Sequence, residues 1–106
     1  MAKYLIQASY TAEGVQGLLK EGAQARRRAI QQTVKGIGGK VEVMYWAFGD
    51  VDAFLIVDLP DAVTAASLSL SVASSGAVQI STTPLLTAEE VDEARKKKVA
   101  YRPPGE

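Results

Sequence analysis

The chain has 106 residues, of which 47% are hydrophobic and 23% are charged, a balance typical of one globular domain. Twelve basic residues balance twelve acidic ones, so no net charge favours nucleic acid or an acidic membrane surface as a partner. There is no cysteine and no histidine. Disulfide frameworks, histidine metal sites and Ser-His-Asp relays are therefore excluded, and we predict neither a cofactor nor a metal ion.

The sequence also bears on the compartment. The N-terminus lacks the apolar segment of a signal peptide. No stretch reaches the about 20 apolar residues that a membrane helix needs. We therefore expect a cytoplasmic protein.

A strand and a long helix are the first predicted elements. Residues 4–10 alternate, and Tyr4, Ile6, Ala8 and Tyr10 share one face. Thr11 is placed to cap a helix, with Glu13 in its first turn. Apolar residues then recur at helical spacing, which predicts one amphipathic helix over residues 13–35, ended by the glycines at 36, 38 and 39.

A hairpin follows, over residues 40–48 and 52–59, with its turn at Gly49-Asp50. Strict alternation in the first strand predicts two faces. Glu42, Met44, Trp46 and Phe48 lie on one, and Val41, Val43, Tyr45 and Ala47 on the other. Pro60 ends the second strand, and Asp61 is placed to cap the next helix.

The last predicted elements are two helices that flank a strand. Residues 62–75 predict a helix without any charged residue. Residues 78–83 alternate as a strand that Pro84 stops. Thr87 and the two glutamates after it predict a C-terminal helix, which a proline-containing tail follows.

This order of elements predicts an α+β fold of the ferredoxin-like βαββαβ type, with a four-stranded antiparallel sheet and two helices on one face. Residues 1–86 form the predicted domain, and residues 87–106 form a C-terminal helix and tail. The other sheet face holds apolar residues, so we expect it to pack against the sheet of a second copy, as a homodimer or a higher homo-oligomer. The alternative is a monomer in which the C-terminal helix covers this face.

The hairpin region carries a family resemblance. The run WAFGDVDAFLIVDLPD, residues 46–61, resembles the hairpin of the GYD domain family, which is named for a Gly-x-Tyr-Asp turn. The similarity extends over most of residues 3–90, although Val51 stands at the position of the signature tyrosine. The resemblance implies a ferredoxin-like fold with dimeric α+β barrel relatives, and it implies no particular chemistry.

Aromatic residues supply the candidate ligand pocket. Trp46, Phe48 and Met44 are predicted to share a strand face, and Tyr10 or Tyr4 would add a polar tip to an apolar pocket between the sheet and the helices. The alternative is that these side chains form the ordinary core.

Three aspartates are the other candidates. Asp50 and Asp52, close together at the turn, suit an acid/base pair or a cation site, or else they bond the backbone of their own turn. Asp58 is unusual in an apolar strand, and we expect it either to point to a sheet edge or to pair with a basic residue of the first helix.

Two main functional hypotheses follow, beside a third in which a small regulator or accessory subunit docks through the C-terminal helix and tail. The first is a homo-oligomeric protein with a binding or assembly role. The second is a cofactor-independent oxygenase, isomerase or cyclase that holds a small aromatic compound against Trp46 and Phe48 and transfers protons through Tyr10, Asp50 or Asp52. The arginines at 26–28 cover most of a helical turn and the lysines at 96–98 lack interleaved aromatics, so neither run indicates nucleic-acid binding.

Overall fold

The computed structural model describes all 106 residues, and it confirms the ferredoxin-like α+β fold. In chain order the elements are β1 Ala2–Tyr10, α1 Ala12–Glu21, α2 Ala23–Gly36, β2 Lys40–Trp46, β3 Ala53–Leu59, α3 Ala62–Ser74, β4 Val78–Leu85 and α4 Ala88–Arg95. The strands form one antiparallel sheet in the order β2-β3-β1-β4. The two central strands are thus the first and third in sequence.

The core lies between one face of this sheet and helices α2 and α3. Eight buried residues form it: Tyr4, Ile6, Val34, Leu55, Val57, Leu59, Ala65 and Leu68. Alternation along β1 and β3 turns every second side chain toward the helices, so these two strands supply most of the core. Helix α3 adds its buried Ala65 and Leu68, while its outward-facing Val63 and Leu70 are exposed.

The single long helix predicted over residues 13–35 is wrong in one respect, because Gly22 divides it into α1 and α2. Gly22 adopts φ 86° and ψ 157°, a conformation that glycine reaches without a steric penalty. Its N–H donates to the Leu18 carbonyl, which closes α1, and α2 begins without a side-chain cap. The apolar periodicity runs through this break, which is why the sequence pattern did not reveal it.

A β-bulge at Glu42 corrects the predicted faces of the hairpin. Val41 pairs with Val57, whereas Val43 pairs with Ile56, so two residues of β2 span one step of β3. Val41, Met44 and Trp46 therefore face the helices. Val43 and Tyr45 lie on the opposite, open face, and the strict alternation predicted for this strand is wrong at its start.

The last strand continues past the predicted stop at Pro84. Pro84 pairs with Tyr4 and Leu85 with Lys3, so β4 runs to Leu85. Proline lacks an N–H, but β4 is an edge strand, where one side of the backbone needs no partner.

The C-terminal segment extends away from the domain. Helix α4 begins with a capping box, in which the Thr87 hydroxyl accepts from the Glu90 N–H and the Glu90 carboxylate accepts from the Thr87 N–H. No residue of α4 is buried, so this helix does not shield the sheet. The radius of gyration is 16.8 Å, above the about 13 Å of a compact chain of this length. No helix combines the length and the apolar character needed to cross a membrane.

Candidate functional site

One row of residues across the helix-facing side of the sheet has unusually short side chains at its centre. In this row Ala53 of β3 lies between Trp46 and Ala8, and Ala8 lies beside Ile80. The two alanines occupy the central strands, where the next row has the larger Ile6 and Leu55. Small side chains at the middle of a sheet leave space beneath the helices that cross it.

A cavity of about 940 Å³ opens above this row, between the α1–α2 pair and α3. Its floor includes Ile6, Ala8, Ala53 and Leu55, and its walls include Leu18, Ile30, Leu68 and Val72. Fourteen of its 23 lining residues are hydrophobic. A mostly apolar cavity of this size with few polar groups has the character of a small-molecule site.

Charged side chains flank the cavity at both ends of α1 and at the start of α2. Glu13, Lys20 and Glu21 come from α1, and Arg26 comes from the first turn of α2. Arg26 Nη1 lies 3.6 Å from Glu21 Oε1, across the Gly22 break. Two acidic groups and two basic groups leave this rim without net charge.

Tyr10 and Trp46 form the one aromatic hydrogen bond of the site. Trp46 Nε1 donates to the Tyr10 hydroxyl over 3.0 Å. Both side chains are half-buried, and Tyr10 lines the cavity while Trp46 stands behind it. The structure therefore brings these two sequence-predicted site residues together.

The aspartates of the hairpin turn are directed away from the cavity. Asp52 Oδ2 accepts from the Tyr10 N–H over 2.8 Å, and the Asp52 N–H donates to the Ala8 carbonyl over 2.9 Å. The carbonyl of Asp50 accepts from the Ser9 hydroxyl, and its side chain is exposed. Neither carboxylate lines the cavity, and no three acidic residues cluster as a metal site. Asp52 bonds the backbone of β1, so its carboxylate holds the turn against that strand.

Phe48 is also separate from the cavity. The residue is 66% exposed, and its φ of 56° places it in the left-handed region that few non-glycine residues adopt. The Ala47 N–H donates to the Asp52 carbonyl, which closes the loop that contains Phe48. Of the sequence-predicted pocket residues, Tyr10 and Met44 line the cavity. Trp46 is joined to it only through its hydrogen bond to Tyr10, and Tyr4 is buried in the core.

The open face of the sheet is divided in composition. Leu5, Val43, Tyr45, Phe54 and Ile56 form an apolar half over β2, β3 and the start of β1, which we call the apolar patch. Polar residues of β4 and of the end of β1 form the other half. Within the patch Val43 and Phe54 are each 37% exposed and Tyr45 is 69% exposed.

A cluster of three charged side chains borders the apolar patch. Lys3 Nζ lies 2.9 Å from a carboxylate oxygen of Glu42 and 2.9 Å from one of Asp58. The partner of Asp58 is thus on the neighbouring strand, and the expected partner on the first helix is wrong. Hydrogen bonds to Glu42 and then to Asp58 raise the pKa of Lys3 above its usual value of 10.5.

This raised pKa predicts a loss of stability at alkaline pH. A group whose folded pKa is raised stabilises the fold fully below its unfolded pKa, and the contribution is lost as the pH rises through the folded pKa. We expect the free energy of unfolding in urea to fall more for the wild type than for Lys3→Arg between about pH 8 and about pH 11.5, because arginine stays charged. Lys97→Arg, an exposed lysine without an ion pair, is the control and should follow the wild type. Equal slopes for Lys3→Arg and the wild type contradict the prediction.

The comparison with known proteins gives one match. A family model for the GYD domain matches residues 4–94. The chain belongs to the GYD domain family. No curated protein and no solved structure matches the chain.

The signature turn of this GYD domain is part of the support for the cavity. The match includes the whole hairpin, although Val51 replaces the tyrosine of the Gly-x-Tyr-Asp turn. Val51 is half-buried, and its carbonyl accepts from the Gly49 N–H. The aspartate after it is Asp52, which fixes the backbone of Tyr10. In this GYD domain the turn therefore positions a cavity residue from outside the cavity.

Sequence reasoning missed most of the cavity wall in the GYD domain. Leu18 and Ile30 belong to the apolar stripe of the predicted first helix, and Leu68 and Val72 on α3 were not singled out as site residues. The signal that was present is the pair of alanines, Ala8 and Ala53, at inward strand positions that larger residues usually occupy. Their adjacency depends on the pairing of β1 with β3, which the spacing along the chain does not give.

Proposed function

We propose that this GYD-type protein is a homo-oligomer that binds a small apolar or aromatic compound in the cavity above Ala8 and Ala53. The observation that carries the proposal is the cavity itself. Its volume of about 940 Å³ is at the upper end of ordinary ligand pockets, about 300–1,000 Å³. A ligand that buries apolar surface there gains about 25 cal/mol for each Å² removed from water.

Assembly through the open sheet face supports the same proposal. The apolar patch lies on the side of the sheet that carries no helix, and α4 leaves it uncovered. Sheets pack face to face about 10 Å apart through such side chains, and a two-fold arrangement pairs each patch with its own copy. The polar half of the face would lie at the rim of this contact, where water is tolerated.

An enzymatic role is the second candidate, and one observation favours it. The hypothesis of a cofactor-independent oxygenase, isomerase or cyclase needs a cavity between the first helix and the sheet, and the cavity is in that place. Of its three proton-transfer candidates only Tyr10 lines the cavity, since Asp50 and Asp52 lie outside. Because Tyr10 is its one proton-transfer candidate at the cavity, the enzymatic hypothesis has less support than the binding proposal.

Filling the cavity tests the binding proposal. In Ala8→Leu three added carbons enter the space above the floor, so we expect at least a tenfold loss of affinity for 9-fluorenone, a three-ring aromatic probe. The free energy of unfolding without ligand should stay constant or rise by up to about 2 kcal/mol, because the leucine buries apolar surface. Equilibrium dialysis measures the affinity and urea titration measures the stability.

The matched control is Ala66→Leu, the same change at an exposed position of α3 that does not line the cavity. We expect it to keep the wild-type affinity. Wild-type affinity in Ala8→Leu would place the bound probe elsewhere and remove the support for this site.

A further inference from the structure

Tyr10 is held at three points of its structure. Its backbone N–H donates to Asp52 Oδ2 over 2.8 Å, and its hydroxyl accepts from Trp46 Nε1 over 3.0 Å. Its ring lies beside Gly14, where an added Cβ would come within 3.1 Å of Tyr10 Cδ1. A side chain fixed in this way meets a ligand with little further loss of conformational entropy.

The bond from Trp46 determines which hydrogen-bonding capacity Tyr10 has left. An indole N–H can only donate, so the Tyr10 oxygen must be the acceptor in this bond. The hydroxyl proton of Tyr10 then has no acceptor among the hydrogen bonds of the chain, which pair no other group with this oxygen. Tyr10 lines the cavity and is half-buried, so its hydroxyl proton is free for one further hydrogen bond.

The charges at the rim of the cavity indicate what kind of hydrogen-bond acceptor a ligand would present to Tyr10. Lys20 and Arg26 are balanced by Glu13 and Glu21, and Arg26 already contacts Glu21. A carboxylate or phosphate on the ligand would meet no net positive field there. A neutral acceptor costs less to remove from water, and a carbonyl oxygen suits one phenolic donor.

We infer that the cavity selects apolar compounds that carry a neutral carbonyl oxygen, which accepts the hydrogen bond of Tyr10 while the apolar body covers Ala8 and Ala53. This inference rests on the proposed binding function and adds the chemical class of the ligand. Trp46 is a positioning residue in it, since it acts through the tyrosine. Tyr10 is the binding residue that determines specificity.

A matched ligand pair tests the inference. 9-Fluorenone and fluorene share a planar three-ring body and differ by a carbonyl in place of a methylene group. Equilibrium dialysis gives both dissociation constants, and their ratio is the carbonyl preference. The ratio is measured for the wild type, for Tyr10→Phe, and for the double variant Tyr10→Phe with Trp46→Phe. The double variant is needed because Tyr10→Phe frees the indole N–H of Trp46 to replace the lost donor.

We expect the carbonyl preference of the double variant to be about fivefold lower than that of the wild type, the value of one net hydrogen bond. A change of affinity that both compounds share cancels in this ratio. An unchanged preference in the double variant overturns the inference but leaves the binding proposal intact. If neither compound binds the wild type, the proposed function itself fails. Circular dichroism of each variant establishes that the fold is retained in the comparison.

Discussion

Phe54→Asp is expected to convert the proposed homo-oligomer into monomers. Phe54 lies in the apolar patch between Tyr45 of β2 and Gln7 of β1, and the residue is 37% exposed in the single chain. If a second sheet covers the patch, an aspartate at this position loses its water without gaining a partner. A two-fold contact carries the change twice. We expect the dissociation constant of the assembly to rise roughly 1,000-fold, which corresponds to about 4 kcal/mol.

Sedimentation equilibrium and native mass spectrometry measure this change at micromolar concentrations. Leu70→Asp is the control, because Leu70 is a large apolar residue that is 72% exposed on α3, away from the open face. It should leave the assembly unchanged. A wild-type protein that is already a monomer at these concentrations contradicts the assembly proposal, and an oligomeric Phe54→Asp variant shows that another surface forms the contact.

The predicted parts of the fold are those that local chemistry determines. Thr11 caps α1 through the Gly14 N–H and Asp61 caps α3 through the Thr64 N–H, as the sequence predicted. The alternation in β1 predicted its faces correctly, because this strand is regular and one of its faces is buried. Each of these features depends on residues within a few positions of one another.

The missed parts depend on irregular backbone or on distant pairs. A glycine inside an apolar helical pattern is compatible with an unbroken helix, so the presence of Gly22 did not predict the break. The bulge at Glu42 is visible only when β2 is paired with β3. The cavity arises from the Ala8–Ala53 pair, whose members are 45 positions apart by their numbers. The sequence therefore identified Tyr10 and Met44 of the cavity wall and the supporting Trp46, but it did not predict that the cavity lies above the two alanines.

The contrast between two glycines of α1 gives a second large effect. A Cβ added to Gly14 would overlap the carbonyl oxygen of Ala77 and crowd the ring of Tyr10, whereas nothing lies within 4 Å of a Cβ added to Gly17. The start of α1 is attached at the same point, because the Thr11 N–H donates to the Ala77 carbonyl over 3.0 Å. Any movement of the helix that relieves the overlap therefore strains this bond.

Gly14→Ala should consequently lower the free energy of unfolding by about 3 kcal/mol, since a rigid backbone oxygen cannot yield to the new methyl group. Gly17→Ala should raise it by about 0.5–1 kcal/mol, because alanine favours the helix and finds open space. Urea unfolding of both variants measures the two changes in the free energy of unfolding. Because the expected changes have opposite signs, a general effect of adding a methyl group to α1 cannot account for them. Stabilisation by both changes would mean that α1 does not contact the entry of β4 closely. In that case the first helix would not form a fixed wall of the cavity, and Tyr10 would lose the neighbour that holds its ring.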